Sequence, residues 1–153
     1  MTVSLPGGCF CGHLRYHVTA APLFTLACHC TDCRQMTASA YSLGMAVPRT
    51  GFALTHGQPR EHAKTADSGA TSVRHVCPQC GTWTHTTTES SPDAVVVRPS
   101  SLDERRWFRP VTQIFTRSAH PWALLDVPLS YEAEFPSAAP SVQAYAASDI
   151  QPA

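Results

Sequence analysis

Hydrophobic and polar positions along the chain repeat with a period of two far more often than with the helical period. Across residues 13–19 the order His, Leu, Arg, Tyr, His, Val, Thr alternates, placing Leu14, Tyr16 and Val18 on one face and Arg15 and His17 on the other. That is the signature of a half-buried strand. Residues 24–28 continue as a short apolar run, and residues 38–47 read as a further strand with Tyr41, Leu43, Met45 and Val47 on one side, ended by Pro48. Residues 52–55, 60–65 and 71–76 are short strands separated by His56-Gly57-Gln58-Pro59 and Asp67-Ser68-Gly69, both built from turn-forming residues. Residues 83–88, 94–98 and 111–116 complete the series, and the Val95-Val96-Val97 run suits a strand covered on both faces. No long 3.6-residue periodicity occurs between Pro6 and Pro136; residues 101–107 support a helical turn or two, with Ser101 as N-cap and Glu104 three residues on. The pattern predicts a mainly β fold with little helix.

At 153 residues the chain suits one domain, long enough to bury about 70% of its unfolded surface without disulfides. That domain is expected over residues 1–135. From Pro136 onward Ala, Pro and Ser dominate, so residues 136–153 are expected to be a disordered or loosely attached tail. Eleven basic residues balance eleven acidic ones and Lys64 is the only lysine, which argues against a nucleic-acid footprint or attraction to anionic lipid. The N-terminus, Met1-Thr2-Val3-Ser4-Leu5-Pro6-Gly7-Gly8, has neither a basic region nor an apolar run, and no segment is long enough to span a bilayer. A soluble, cytoplasmic protein is the expectation.

Cysteine usage changes the picture. Seven cysteines fall into three groups: Cys9 with Cys11, Cys28 with Cys30 and Cys33, and Cys77 with Cys80. An odd number cannot pair fully into disulfides, and clustered thiols in a reducing compartment point to metal. The Cys77-Pro78-Gln79-Cys80-Gly81 stretch has the spacing of a zinc knuckle, in which two thiolates reach one ion and glycine permits the sharp exit. Paired with Cys9 and Cys11 it supplies the four ligands of a closed structural site; pairing the knuckle with two of the central cysteines is the alternative, and leaves three thiols stranded. The central Cys28-His29-Cys30-Thr31-Asp32-Cys33-Arg34 stretch, delivered by a strand end into a loop, then keeps three thiolates. Catalytic zinc commonly has three protein ligands and an open fourth position, so this reads as an open zinc site, with a purely structural site completed by His29 or Asp32 as its competitor. His29 is adjacent to two ligands in an extended segment and points away from them, toward an outer-shell role or solvent. Arg34 is placed to pair with a substrate carboxylate, with Arg49, Arg74, Arg98 and Arg117 as weaker candidates. His13, His17, His75 and His85 are most simply polar strand residues, and Trp83, Trp107 and Trp122 packing residues.

Gly8-Cys9-Phe10-Cys11-Gly12 with Arg15-Tyr16, then residues 28–34, then Cys77-Pro78-Gln79-Cys80-Gly81-Thr82 resemble the three signature blocks of the glutathione-dependent formaldehyde-activating enzyme family, which includes centromere protein V. The similarity spans about residues 5 to 130 and all seven cysteines match. The resemblance implies a β-tent fold of short antiparallel sheets stapled by two zinc ions per chain, with Cys9, Cys11, Cys77 and Cys80 holding a structural ion and Cys28, Cys30 and Cys33 a catalytic one. It implies a carbon-sulfur lyase-type reaction joining a small thiol, glutathione in the founding case, to an aldehyde such as formaldehyde. For such a reaction, zinc held by three thiolates favours activation of the incoming thiol, with polarisation of the carbonyl oxygen by the ion or a nearby donor such as His29 as the alternative, and Arg34 is the candidate partner of the carboxylate that glutathione would bring. The alternative class is a zinc-stabilised β module that binds a partner protein without catalysis.

Overall fold

A computed structural model describes residues 3–66 and 69–152. Met1, Thr2, Asp67 and Ser68, the last two from an expected turn, lie outside the described residues. In chain order the elements are β1 (Leu5–Gly8), β2 (Arg15–Val18), β3 (Phe24–Cys28), α1 (Thr31–Thr37), β4 (Ser42–Pro48), β5 (Phe52–His56), β6 (Arg60–Thr65), β7 (Thr71–Val76), β8 (Trp83–Thr88), β9 (Ala94–Val97), β10 (Thr112–Ile114), β11 (Leu129–Ser130) and α2 (Ala139–Ala146), with short 3-10 turns between them. The fold is mainly β, as the period-two patterning requires. No helix among the described residues is long and apolar enough to cross a membrane.

Two sheets form. The smaller has the order β1-β2-β5 and the larger β11-β10-β3-β4-β9-β8-β7-β6. Alternation along β4 and β9 sends Met45, Val47, Val95 and Val97 toward Leu5, Tyr16 and Val18 of the small sheet, making one core between the sheets. The opposite face buries Phe24, Leu26, Ala46 and Ile114 in a second core. The valine run therefore alternates between half-buried and buried positions, whereas β3 is covered on both faces. Glycine is required where a turn crowds its neighbours: Gly57 sits at φ +78°, and a Cβ there would lie 2.2 Å from the His13 carbonyl oxygen.

The structure departs from the sequence expectations in five places, the last of them at the C-terminal segment. β10 runs parallel to both β3 and β11 rather than antiparallel, which the long crossover from β3 makes possible. The central cysteine segment is not a loop but enters α1. Asp32 lies in its first turn and good helix formers Arg34, Gln35 and Met36 follow, but Cys33 is its one buried side chain, so no apolar period announces it. Ala38 then closes the helix at φ 48°, and β4 starts only at Ser42. The expected helical turn at residues 101–107 is absent, because Ser101 Oγ binds the Arg98 carbonyl and Tyr16 hydroxyl oxygens instead of capping, and Leu102 is buried beside Gly7.

The segment from Pro136 corrects the expectation of a loose tail. α2 packs on β3, Tyr145 and Ile150 join the second core, and Thr112 Oγ1 donates to Ser141 Oγ at 2.8 Å, both residues fully buried. Sparse apolar side chains suffice when each one is placed against a sheet. Tyr145 is buried but its hydroxyl has no partner, so we expect Tyr145→Ala to cost about 3 kcal/mol and Tyr145→Phe to be neutral or stabilising, because no hydrogen bond is lost; chemical denaturation measures both.

His75 and His85 stack in parallel, ring centroids 4.2 Å apart, on the β7–β8 ladder. Burial first, then the positive fields of His75, Arg98 and Arg49, push His85 down to about 3, and burial lowers His75 in the same direction. Both rings are neutral when folded. Below the ordinary value of 6.5 the unfolded chain takes up a proton that the native chain refuses, so stability is complete above that pH and falls as pH drops toward 3. His85→Asn should therefore lose less stability than the parent between pH 7.5 and 5, by about 2 kcal/mol at the lower pH, with a constant difference above pH 6.5; denaturation at stepped pH checks this.

Candidate metal centres

Two hairpin turns meet tip to tip. The β1–β2 turn is closed by Cys9 N donating to Leu14 O and Gly12 N to Cys9 O, and the β7–β8 turn by Cys77 N donating to Thr82 O and Gly81 N to Cys77 O. Gly12 and Gly81 sit at φ +80° and +78°, the left-handed exits each turn needs. Phe10 N donates to Thr82 Oγ1 at 3.1 Å, joining the tips. Together they gather Cys9, Cys11, Cys77 and Cys80 so that all four sulfurs lie within 4.8 Å of one another. The Cys9–Cys11 and Cys11–Cys77 sulfur separations are 3.6 and 3.8 Å. A tetrahedron of thiolates at zinc–sulfur distances near 2.3 Å has an edge of about 3.8 Å, whereas a disulfide would need about 2 Å. Backbone N–H groups of Leu14 and Cys80 point at Cys9 and Cys77 sulfur, at 3.1 and 3.5 Å, as donors stabilising thiolates do. This quartet fits a closed tetrahedral ion.

The second cluster is built by the end of β3 and the start of α1. Cys28 is the last residue of its strand, Cys30 caps the helix by accepting from Cys33 N at 3.3 Å, and Cys33 lies in the first turn. Their three sulfurs also lie within 4.8 Å of one another. Cys28 and Cys33 are buried and Cys30 is partly exposed; the quartet has an exposed member too, Cys11, so the number of sulfurs and not their exposure separates the two clusters. Three thiols this close cannot all ionise. Hydrogen bonds from Cys28 and Cys30, with Ser42 and Arg98 adding to them, hold Cys33 far below the ordinary thiol range. Its neighbours pay in the other direction: Cys28 is raised by Cys30, Cys33 and burial. Cys30 is raised as well, Cys33 and burial outweighing the lowering contact from Cys28. A divalent ion relieves that conflict, which is why the donor set fits a metal.

His29 is not part of the trio. Its backbone N–H continues the β3–β10 ladder to Ile114 O, and its fully buried ring turns the other way. Gln113 Oε1, which accepts from Leu125 N, lies 3.0 Å from His29 Nε2; Gln113 Nε2 donates to Leu125 O, fixing the amide, so His29 Nε2 is the donor. Asp32 is engaged by Lys64 Nζ at 2.6 Å and Arg74 at 3.8 Å and does not close the site. Arg34 donates to Ser118 O and contacts His120 Nε2, whose ring stacks on the exposed Trp122. These residues line a cavity of about 650 Å³ that also touches Thr31, next to Cys30. His120 and Trp122 belong to the polar-aromatic residues 117–122, whose sequence suits either a pocket wall or a closing loop and which here line the cavity; Arg98 was legible only as one of several arginines.

A mainly β chain with one four-sulfur and one three-sulfur cluster defines a class of cysteine-rich protein whose clusters could hold metal ions. The model of the family described as glutathione-dependent formaldehyde-activating enzyme matches residues 4–118, and the chain belongs to that family. Its fold is similar to the crystal structure of a Rhodobacter sphaeroides protein, with a TM-score of 0.50 and 18% sequence identity over 82% of this chain and 98% of that one.

Because thiols must lose protons to bind metal, loading zinc at pH 7 should release several protons per chain, measured with an indicator dye. Cys77→Ser should abolish uptake by the quartet and lower the melting temperature more than any single change in the trio does, because the quartet joins two hairpins distant in sequence.

Proposed function

We propose that the chain is a zinc-dependent carbon-sulfur lyase-type enzyme that joins a small thiol to an aldehyde, with zinc at both cysteine clusters and chemistry at the trio. The observation that carries this reading is the unequal division of sulfur: four ligands at one cluster, three at the other, in a chain of the formaldehyde-activating family. When bound there, zinc supplies an acceptor seat that favours the thiolate form of an incoming thiol. Cys28, Cys30 and Cys33 hold that seat, and their combined negative charge makes carbonyl polarisation the weaker of its two uses. Arg34, on the wall of the adjoining cavity, offers a cation for the carboxylate of a glutathione-like thiol, and the His120–Trp122 stack forms the rim. His29, neutral and sealed, orients the strand end rather than touching substrate. In the reaction the thiolate sulfur forms a bond to the aldehyde carbon, the carbon–oxygen π pair moves to oxygen, and the proton given up by the thiol ends on that oxygen.

The test is to load the purified protein with zinc and assay a panel of low-molecular-weight thiols, with and without carboxylates, against formaldehyde and larger aldehydes. Two zinc ions per chain and turnover with at least one carboxylate-bearing thiol are expected. Cys30→Ala should retain the quartet's ion, lose the other and lose turnover; turnover that survives loss of that ion defeats the proposal.

A further inference from the structure

Arg98 directly follows β9, and its backbone N–H donates to Thr84 O. Its guanidinium is held from three sides: Nη1 donates to Leu43 O at 2.9 Å and Ser42 Oγ at 3.3 Å, and Nη2 to Thr86 Oγ1 at 2.9 Å. The guanidinium carbon lies 3.9 Å from the centroid of the Trp83 ring, whose own N–H is fixed by the His85 carbonyl and Thr86 hydroxyl oxygens. Nε is sealed from solvent without a partner. All of these partners are neutral, and among the described residues no carboxylate lies within ion-pair distance of Arg98. A guanidinium does not give up its charge, and a desolvated cation without an anion is costly.

Ser42, which accepts from Arg98, registers directly opposite Cys28 in the β3–β4 pair, and its hydroxyl lowers the Cys33 thiol. The negative charges that favour the cationic form of Arg98 are those of Cys33, Cys28 and Cys30. The nearest competing cation, Arg74, is turned to Asp32 and stands farther from Trp83, at 5.7 Å. One guanidinium is thus reserved for the trio.

We propose that Arg98 is the resident counter-charge of the three-cysteine site, a positioning residue whose guanidinium acts on the sulfurs through Ser42 and sets the affinity of the trio for its ion. This rests on the reading of the trio as a zinc site. Three thiolates around a divalent ion carry one net negative charge; Arg98 brings the assembly to neutrality, so that a further thiolate sulfur can enter without building up a double negative charge in a part-buried site. Trp83 holds the cation in place by its ring face and, lying next to Thr82, ties it to the quartet's hairpin.

The experiment titrates the full chain with zinc against a competing chelator, following the second ion separately from the first, and repeats the titration with cobalt, whose absorption reports thiolate coordination. Arg98→Met keeps the stem on Trp83 and removes the charge. It should weaken the second ion by about 100-fold, the upper range for an outer-shell partner, while leaving the quartet's ion as in the parent. Arg98→Lys, which keeps the charge, should recover at least half of that loss on a logarithmic scale. Ser42→Ala, which leaves Arg98 in place and removes the bridging hydroxyl, should weaken the same ion by about 10-fold and carries the test if Arg98→Met does not fold. Equal loss in the Met and Lys variants, or unchanged affinity in Arg98→Met or Ser42→Ala, overturns the proposal for Arg98 alone. A parent chain that takes up one ion overturns it together with the zinc reading of the trio.

Discussion

Beyond the core that the two sheets share, the small sheet meets the large one through two turns whose cysteines are 66 residues apart at Cys11 and Cys77. Closing a loop of that length has an entropic cost that rises only slowly with size, but the tips offer little apolar surface to offset it: Leu14 is the buried non-cysteine side chain among the sulfurs. Four thiols are instead brought to separations too long for a bond and too short for four separate charges. A shared cation would resolve this, and its binding free energy would become folding free energy. The Phe10–Thr82 hydrogen bond and the left-handed glycines prepare the geometry for one.

The two clusters differ in how the backbone reaches them. The quartet hangs from hairpin turns, which can yield a little, whereas the trio bridges a fully buried strand and a helix start, which cannot. The surrounding charges are sorted as well: Asp32 takes Lys64 and Arg74, and Arg98 is left facing the sulfurs.

Most strands were legible from alternation, and β3, β6, β7 and β8 have the expected limits because turn residues or the cysteine knuckle bound them. Both sulfur groupings of the structure match the partition that leaves no thiol stranded. The helices were hidden for opposite reasons. α1 buries one residue, a cysteine that reads as a ligand, and α2 is written in Ala, Pro and Ser, a composition shared with unstructured chains, with Tyr145 and Ile150 supplying the contacts that order it. Arg98 was illegible in a stronger sense. An arginine after a valine run looks like a surface residue until the ladder shows that β9 lies beside β4 and so brings it to Ser42 and Cys28.

The parallel pairing of β10 with β3 orders events at the ribosome. Thr112, Gln113 and Ile114 lie against Leu26, Ala27 and Cys28, so the strand that presents the trio lacks its flank until more than eighty further residues have been translated. The surroundings of the three-sulfur cluster are therefore complete only once synthesis has passed β10.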